Sequence, residues 1–160
     1  MEVDVMTPAG DVDWIYLGDT VMGGVSEGRA STEDGILRLT GTVSTANRGG
    51  FIQARTYVDQ GLPEGTTGLR LRVRGNGERY FVHLRTFLTP LPWQYYQAGF
   101  ETGPDWAEVT IPIADFQPSG RMMPLAISPD LVRSVAVVAY GRDHVADLSV
   151  AALGPVSGAP

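Results

Sequence analysis

The stretch Gly68-Leu69-Arg70-Leu71-Arg72-Val73-Arg74-Gly75-Asn76-Gly77-Glu78-Arg79-Tyr80-Phe81-Val82-His83-Leu84-Arg85 decides the fold class. Apolar residues fall on every second position in both arms, the period of a half-buried strand and not of a helix. Leu69, Leu71 and Val73 in one arm, and Tyr80, Val82 and Leu84 in the other, form the core-facing set. Between the arms, Asn76-Gly77 is the preferred centre of a two-residue type I′ hairpin turn. That turn predicts a register in which Arg74 faces Arg79, Val73 faces Tyr80, Arg72 faces Phe81, Leu71 faces Val82 and Arg70 faces His83. The second face then gathers Arg70, Arg72, Arg74, Arg79, Phe81, His83 and Arg85. A slip of one residue would bury the arginines, so the inward and outward sets are firmly specified.

The same period repeats along the chain. Residues 35–41, 51–57, 93–100, 106–113, 132–140 and 146–153 read as further strands, with Gly or Pro between most of them. No segment keeps the i, i+3, i+4, i+7 pattern over three turns; residues 129–133 are long enough for one helical turn. Short strands at this spacing predict an all-β sandwich. One β-sandwich domain over residues 1–153 is expected, followed by a flexible tail over 154–160, where the apolar period stops.

Composition narrows the function. The chain has 160 residues, no cysteine, and 20 glycines with 11 prolines. Thiolate metal sites, disulfides and cysteine nucleophiles are therefore excluded. The formal net charge is -6, which disfavours a general affinity for nucleic acid. All 12 basic residues are arginine, the side chain whose planar fork grips carboxylate and phosphate. No apolar run has the roughly 18 residues of a membrane span. The acidic opening Met1-Glu2-Val3-Asp4-Val5 does not read as a signal peptide. A cytoplasmic location is expected.

Like charges opposite one another in a sheet are unfavourable, so the arginine face needs an anion. Glu101, Asp105 or Glu108 on neighbouring strands could supply it, and so could an anionic ligand or an acidic protein partner. In residues 93–100, alternation sends Tyr96, Ala98 and Phe100 to the core. Trp93, Tyr95 and Gln97 are left for a binding surface, since aromatic rings with amide neighbours suit sugars and protein interfaces alike. Gly24-Val25-Ser26-Glu27-Gly28 fits the Gly-x-Ser-x-Gly spacing of a nucleophile elbow, but no helix follows it. His83 and His144 make no zinc motif, and Asp11, Asp13 and Asp19 match no calcium loop. No catalytic residue, metal or cofactor is expected. The paired glycines Gly23-Gly24 and Gly49-Gly50 allow positive φ or close backbone approach. Asp19, Ser26, Ser44 and Asn47 beside them could either lock two loops together or line a small polar pocket.

Specific blocks then match a family. Trp14, Asp19-Thr20-Val21-Met22-Gly23-Gly24-Val25-Ser26, Gly41-Thr42-Val43-Ser44, Asn47-Arg48-Gly49-Gly50-Phe51 and Gly68 to Gly75 occur in that order. Gly77, Tyr80, Tyr96-Gln97, Phe100, Trp106, Val109, Ile111-Pro112, Phe116 and Gly120-Arg121 follow. Together they resemble the complex I intermediate-associated protein family, the thirty-kilodalton assembly factor group, over nearly the whole chain. The resemblance implies a galactose-binding-like jelly-roll β-sandwich. It also implies a non-catalytic role in assembling respiratory complex I through protein contacts, with respiratory-complex subunits as partners. A compact chain with no transit peptide reads as a bacterial member. The expected function is thus a binding or assembly protein that offers a basic sheet face to an acidic partner. The alternative is a carbohydrate- or small-anion-binding module of the same fold.

Overall fold

The computed structural model describes residues 1–158. Twelve strands follow one another: β1 (Thr7–Pro8), β2 (Ile15–Gly18), β3 (Glu27–Glu33), β4 (Ile36–Val43), β5 (Phe51–Tyr57), β6 (Gly68–Gly75), β7 (Tyr80–Thr86), β8 (Tyr96–Phe100), β9 (Ala107–Pro112), β10 (Gln117–Pro118), β11 (Val132–Tyr140) and β12 (His144–Val156). Short 3-10 turns interrupt them, one at Pro129–Leu131. Two antiparallel sheets result. Sheet A has the order β3-β4-β12-β6-β9, with β1 added alongside β12; sheet B has the order β10-β8-β7-β11-β5-β2.

The inward residues of both sheets meet in one core. Leu37, Leu39, Leu69, Leu71, Val73, Leu148 and Val150 come from sheet A, and Ile52, Ala54, Tyr80, Val82, Leu84, Val135 and Val137 from sheet B. At about 25 cal/mol per Å² of apolar surface buried, each such side chain contributes on the order of 2 kcal/mol before its ordering entropy is counted. The alternation in the sequence thus places the core-facing sets correctly.

The hairpin, however, does not form. β6 pairs with β12 and β9, whereas β7 pairs with β11 and β8. Gly75-Asn76-Gly77 is instead an arch that carries the chain from sheet A to sheet B. Period two records which residues point inward, and two strands facing each other across a core carry the same record as two strands side by side. Polar ties hold the arch. The buried Tyr80 donates its hydroxyl to Asn76 Oδ1 at 2.6 Å and accepts the Asp147 N–H at 2.8 Å. Asn76 in turn donates to the Val145 carbonyl at 2.9 Å.

The end of the chain is also more ordered than expected. Gly154, Pro155 and Val156 pair with Arg70, Leu69 and Gly68 and complete β12. Ala159 and Pro160, the last of the expected tail, lie outside the described residues. Among the described residues no helix is long and apolar enough to cross a membrane.

Candidate functional site

Because β6 and β7 belong to different sheets, the single arginine face divides into two. Arg70, Arg72 and Arg74 lie on the outer face of sheet A. There Arg70 Nε donates to Thr110 Oγ1 at 3.1 Å, and Arg72 stands in register with Glu108. Arg74 and Arg72 lie over the Trp106 ring, at 4.6 and 5.9 Å from its centroid. Beside them Arg38 and Asp147 form a bidentate pair at 2.9 and 3.0 Å. A shallow groove of about 680 Å³ runs along this face over Arg29, Arg38, Arg74 and Asp147. Among the described residues Arg38 is ion-paired on this face, and none of Arg70, Arg72 and Arg74 forms an ion pair with Glu101, Asp105 or Glu108. Arg79 sits at the arch and pairs with Glu101 at 2.7 Å.

The outer face of sheet B is built differently. None of its strands contains Asp or Glu, although the whole chain has 18 acidic residues. Its middle strand, β11, turns Ser134, Ala136 and Val138 outward, opposite His83 and Phe81 of β7 on one side and Arg55 and Gln53 of β5 on the other. These small floor residues are buried beneath taller neighbours. Tyr95 lies flat on His83, with ring centroids 4.1 Å apart and planes 13° from parallel. Tyr140 meets both His83 and Phe81 edge-on at 5.9 Å. The Tyr95 and Tyr140 hydroxyls approach to 3.4 Å.

Arg79, over the Phe81 ring at the edge of this face, is paired with Glu101, but the two arginines nearer its middle are not neutralised within the described residues. Arg85 donates Nη1 to the carbonyls of Pro92 and Gln94 at 2.8 and 3.0 Å. Arg55 reaches Tyr57 and Gln53 at 3.4 and 3.3 Å. Among the described residues neither has a carboxylate partner. Both Nε–H groups, and both ring nitrogens of His83, are buried without a hydrogen-bond partner. Burial first, then the charges of Arg85 and Arg55, hold the His83 pKa down at about 3, so the ring is neutral. Burial and the Arg55 charge bring Arg85 down to about 10. Burial and the Tyr140 hydroxyl raise Tyr95.

Of the residues singled out in the sequence, the structure brings Phe81, His83, Arg85, Tyr95 and Gln97 together on sheet B, with Gln97 in register beside His83. Trp93 is 66% exposed on the β7–β8 loop, off the strand. Arg79 joins them at the edge of that face, its guanidinium 5.6 Å from the Phe81 ring centroid and paired with Glu101, whereas Arg70, Arg72 and Arg74 lie on sheet A. Sequence reasoning missed Gln53, Arg55, Tyr57 and Tyr140, because the partner strands of β7 could not be chosen from the pattern. The absence of acids from strands 51–57, 80–86, 96–100 and 132–140 was the available signal.

The motif loops form a separate structure at the end of the sandwich where β5 begins. Asp19 is fully buried, and its carboxylate accepts Ser26 N–H at 2.9 Å, Ser26 Oγ–H at 2.5 Å, Gly50 N–H at 2.6 Å and Phe51 N–H at 3.4 Å. Ser26 Oγ accepts the Ser44 N–H at 2.8 Å. Burial works to raise the Asp19 pKa, but these donors outweigh it and the net displacement is downward. A Cβ on Gly24 or Gly49 would meet that carboxyl group, so the backbone can wrap it only where there is no side chain. Gly23 and Gly50 take positive φ, and Asn47 sits in the left-handed region at φ 57°. Met22 and Asn47 face solvent. This arrangement ties the two loops together around a carboxylate whose two oxygens both accept from protein donors. It also removes Ser26 as a nucleophile, since its hydroxyl is buried and committed.

Two packed antiparallel sheets with loops of this kind define a jelly-roll, galactose-binding-like β-sandwich, and solved structures share it. The family 11 carbohydrate-binding module of cellulosomal cellulase Lic26A-Cel5E of Clostridium thermocellum superimposes with a TM-score of 0.77 and 11% identity, over 99% of this chain and 96% of that one. The family 11 module from the same organism in complex with a β-1,3-1,4-mixed-linked tetrasaccharide gives 0.74 and 12%, over 96% and 95%. The family 30 module of cellulosomal cellulase Cel9D-Cel44B gives 0.62 and 14%, over 99% and 96%. At these identities the likeness is one of fold. No curated protein matches the sequence. Residues 3–146 match the family Complex I intermediate-associated protein 30 (CIA30), and the chain belongs to it.

Proposed function

We propose that this chain is a non-catalytic binding protein that takes a saccharide on the outer face of sheet B. The observation that carries the reading is the Tyr95–His83 stack with Tyr140 at its edge, beside a floor of small residues and flanked by Gln53 and Gln97. Rings offer apolar faces to the C–H side of a sugar, and amides and guanidinium groups offer hydrogen bonds to its hydroxyls. The tetrasaccharide-bound module of the same fold lends support at the level of architecture. No nucleophile and base lie together on this face, and the neutral His83 is packed under Tyr95, so a binding role fits better than catalysis. The test is affinity electrophoresis against a panel of soluble polysaccharides. Retardation by at least one of them, weakened in Tyr140→Ala, is expected. Free migration in every gel would overturn the reading.

Family membership favours a second reading, a protein contact in respiratory complex I assembly. Its structural support is an apolar end of the sandwich. Phe87, Leu88 and Trp93 on one loop, and Met122 and Leu125 on the next, are all exposed, Met122 at 94% and Leu125 at 85%. The loops are tied by Ser119 Oγ donating to the Trp93 carbonyl at 2.7 Å. Exposed apolar clusters of this kind mark interaction sites. Comigration with a complex I intermediate on native gels, lost in Trp93→Ser/Leu125→Ser, is the expected result; comigration unaffected by that change would overturn it.

A further inference from the structure

The saccharide reading leaves one feature of sheet B unexplained. A neutral sugar has no need of two guanidinium groups that lack carboxylates. We infer that Arg55 and Arg85 together hold one acidic group, a carboxylate or a sulfate, of an acidic saccharide. This rests on the saccharide reading and names the ligand class within it.

Three observations carry the inference. First, Arg55 and Arg85 project from β5 and β7, the two strands that flank β11, opposite Ala136 and Ser134 respectively, and so stand about 12 Å apart at the backbone. Between them β11 presents only Ser134 and Ala136, so no bulky or acidic side chain of that strand separates the two arginines. Second, the two charges are close enough to act on each other. Arg55 is one cause of the lowered pKa of Arg85, and both act on His83. Two cations held in proximity on an acid-free sheet cost stability, and an anion between them reverses that sign. Third, the site already contains buried polar atoms with no protein partner. His83 is 3% exposed and neither ring nitrogen is bonded; both Nε–H groups are in the same state. An acidic group with two or three oxygens accepts from guanidinium forks in the geometry they favour. The arginines of sheet A lack this combination: Arg38 is paired with Asp147, Arg70 donates to Thr110, Arg72 and Arg74 lie over Trp106, and among the described residues none of them contributes a buried polar atom without a partner.

The experiment is isothermal titration at low salt with three probes: trigalacturonate, its fully methyl-esterified form, and a sulfated galactan trisaccharide. The expected result is that at least one acidic probe binds about ten-fold or more tightly than the methyl ester. Carboxylate and sulfate sources are told apart by which probe it is. Arg55→Gln and Arg85→Gln should each remove the preference, bringing acid and ester to within about three-fold of one another in the variant. Arg55→Lys, which keeps the charge and loses the fork, should remove most of it. His83 gives a readout that needs no variant. Neutralising its two cationic neighbours should move its ring titration up from about 3 in an NMR series with the acidic probe present. Equal binding of the ester and both acidic probes overturns the inference and leaves the saccharide reading standing. A preference that survives both glutamine variants but is lost in Arg70→Gln/Arg72→Gln also overturns it. No binding of any probe overturns this inference; if every polysaccharide gel is blank as well, the saccharide reading goes with it.

Discussion

Replacing Asp19 by asparagine should cost more stability than almost any other isosteric change in this chain, and the size of the loss can be worked from its contacts. One carboxylate oxygen, Oδ2, accepts Ser26 Oγ–H, Gly50 N–H and the longer Phe51 N–H; the other, Oδ1, accepts Ser26 N–H. Asparagine has one acceptor, so its best placement keeps oxygen on the side with three donors. Its NH2 then points at the Ser26 N–H, donor against donor. That bond is lost outright, at about 1.5–3 kcal/mol for a charged acceptor. The remaining two short bonds lose their charge assistance, roughly half their strength. The sum is about 3–5 kcal/mol, or some 10–15 °C in Tm for a domain of this size. Differential scanning calorimetry at pH 7 measures it. The difference should also close in acid. Asp19 titrates below its ordinary 3.8 when folded, so its contribution is complete above that pH and is lost as pH falls through the lower folded value. An Asp19→Asn protein within about 1 kcal/mol of wild type would refute the idea that the buried carboxylate organises these loops.

Gly49→Ala places a methyl group against the same carboxyl and 3.1 Å from the Gly24 Cα; a loss of about 2–4 kcal/mol in urea unfolding is expected. Tyr80→Phe removes the arch's tie to Asn76 and strands the Asp147 N–H; chemical denaturation should show about 1–3 kcal/mol. His83 titrates near 6.5 when unfolded and about 3 when folded, so the unfolded chain binds more protons in between and stability must fall as pH drops from about 6.5 toward 3. His83→Leu should flatten that slope above about pH 5, where ordinary carboxyls are already charged; an unchanged slope would rule out the buried neutral imidazole. Arg70→Ala/Arg72→Ala should leave Tm within a few degrees and leave saccharide retention intact, since both lie on the opposite sheet; lost retention would count against the assignment of the site to sheet B.

The sequence was most informative where burial alone decides the pattern. β5 and β11 end at the residues that alternation and punctuation mark, and Tyr96, Ala98 and Phe100 do face the core. β3, which reads Glu27-Gly28-Arg29-Ala30-Ser31-Thr32-Glu33, carries almost no apolar signal because it is an edge strand with one partner. The arch misled for a different reason. Asn-Gly favours a tight turn locally, but Tyr80 must bring its hydroxyl to Asn76 and Asp147 while its ring enters the core, and that long-range demand won. The expected register therefore joined Arg70, Arg72 and Arg74 to Phe81, His83 and Arg85 although they lie on different sheets, and Arg55 and Tyr140, on strands the hairpin did not place beside β7, were not gathered at all.

The loop lock and the sheet face are physically separate, and this bears on what family membership means here. The most specific block, Asp19 to Ser26 with Arg48 to Phe51, builds a buried carboxylate cage whose glycines are dictated by close approach. Those requirements concern the geometry of loops and are indifferent to any ligand. Arg55, Arg85, Tyr95 and Tyr140 fall outside every block that carries the resemblance, and nothing in the core depends on their tips. A family signature read from the lock thus identifies the scaffold and leaves the chemistry of sheet B free to vary on it. The consequence is measurable in one protein: Asp19→Asn should lower Tm and, at a temperature where it remains folded, bind acidic saccharide as wild type does. Arg55→Gln should do the reverse. If both changes moved both quantities, lock and face would be one cooperative unit, and the family signature would then report on the ligand as well as the fold.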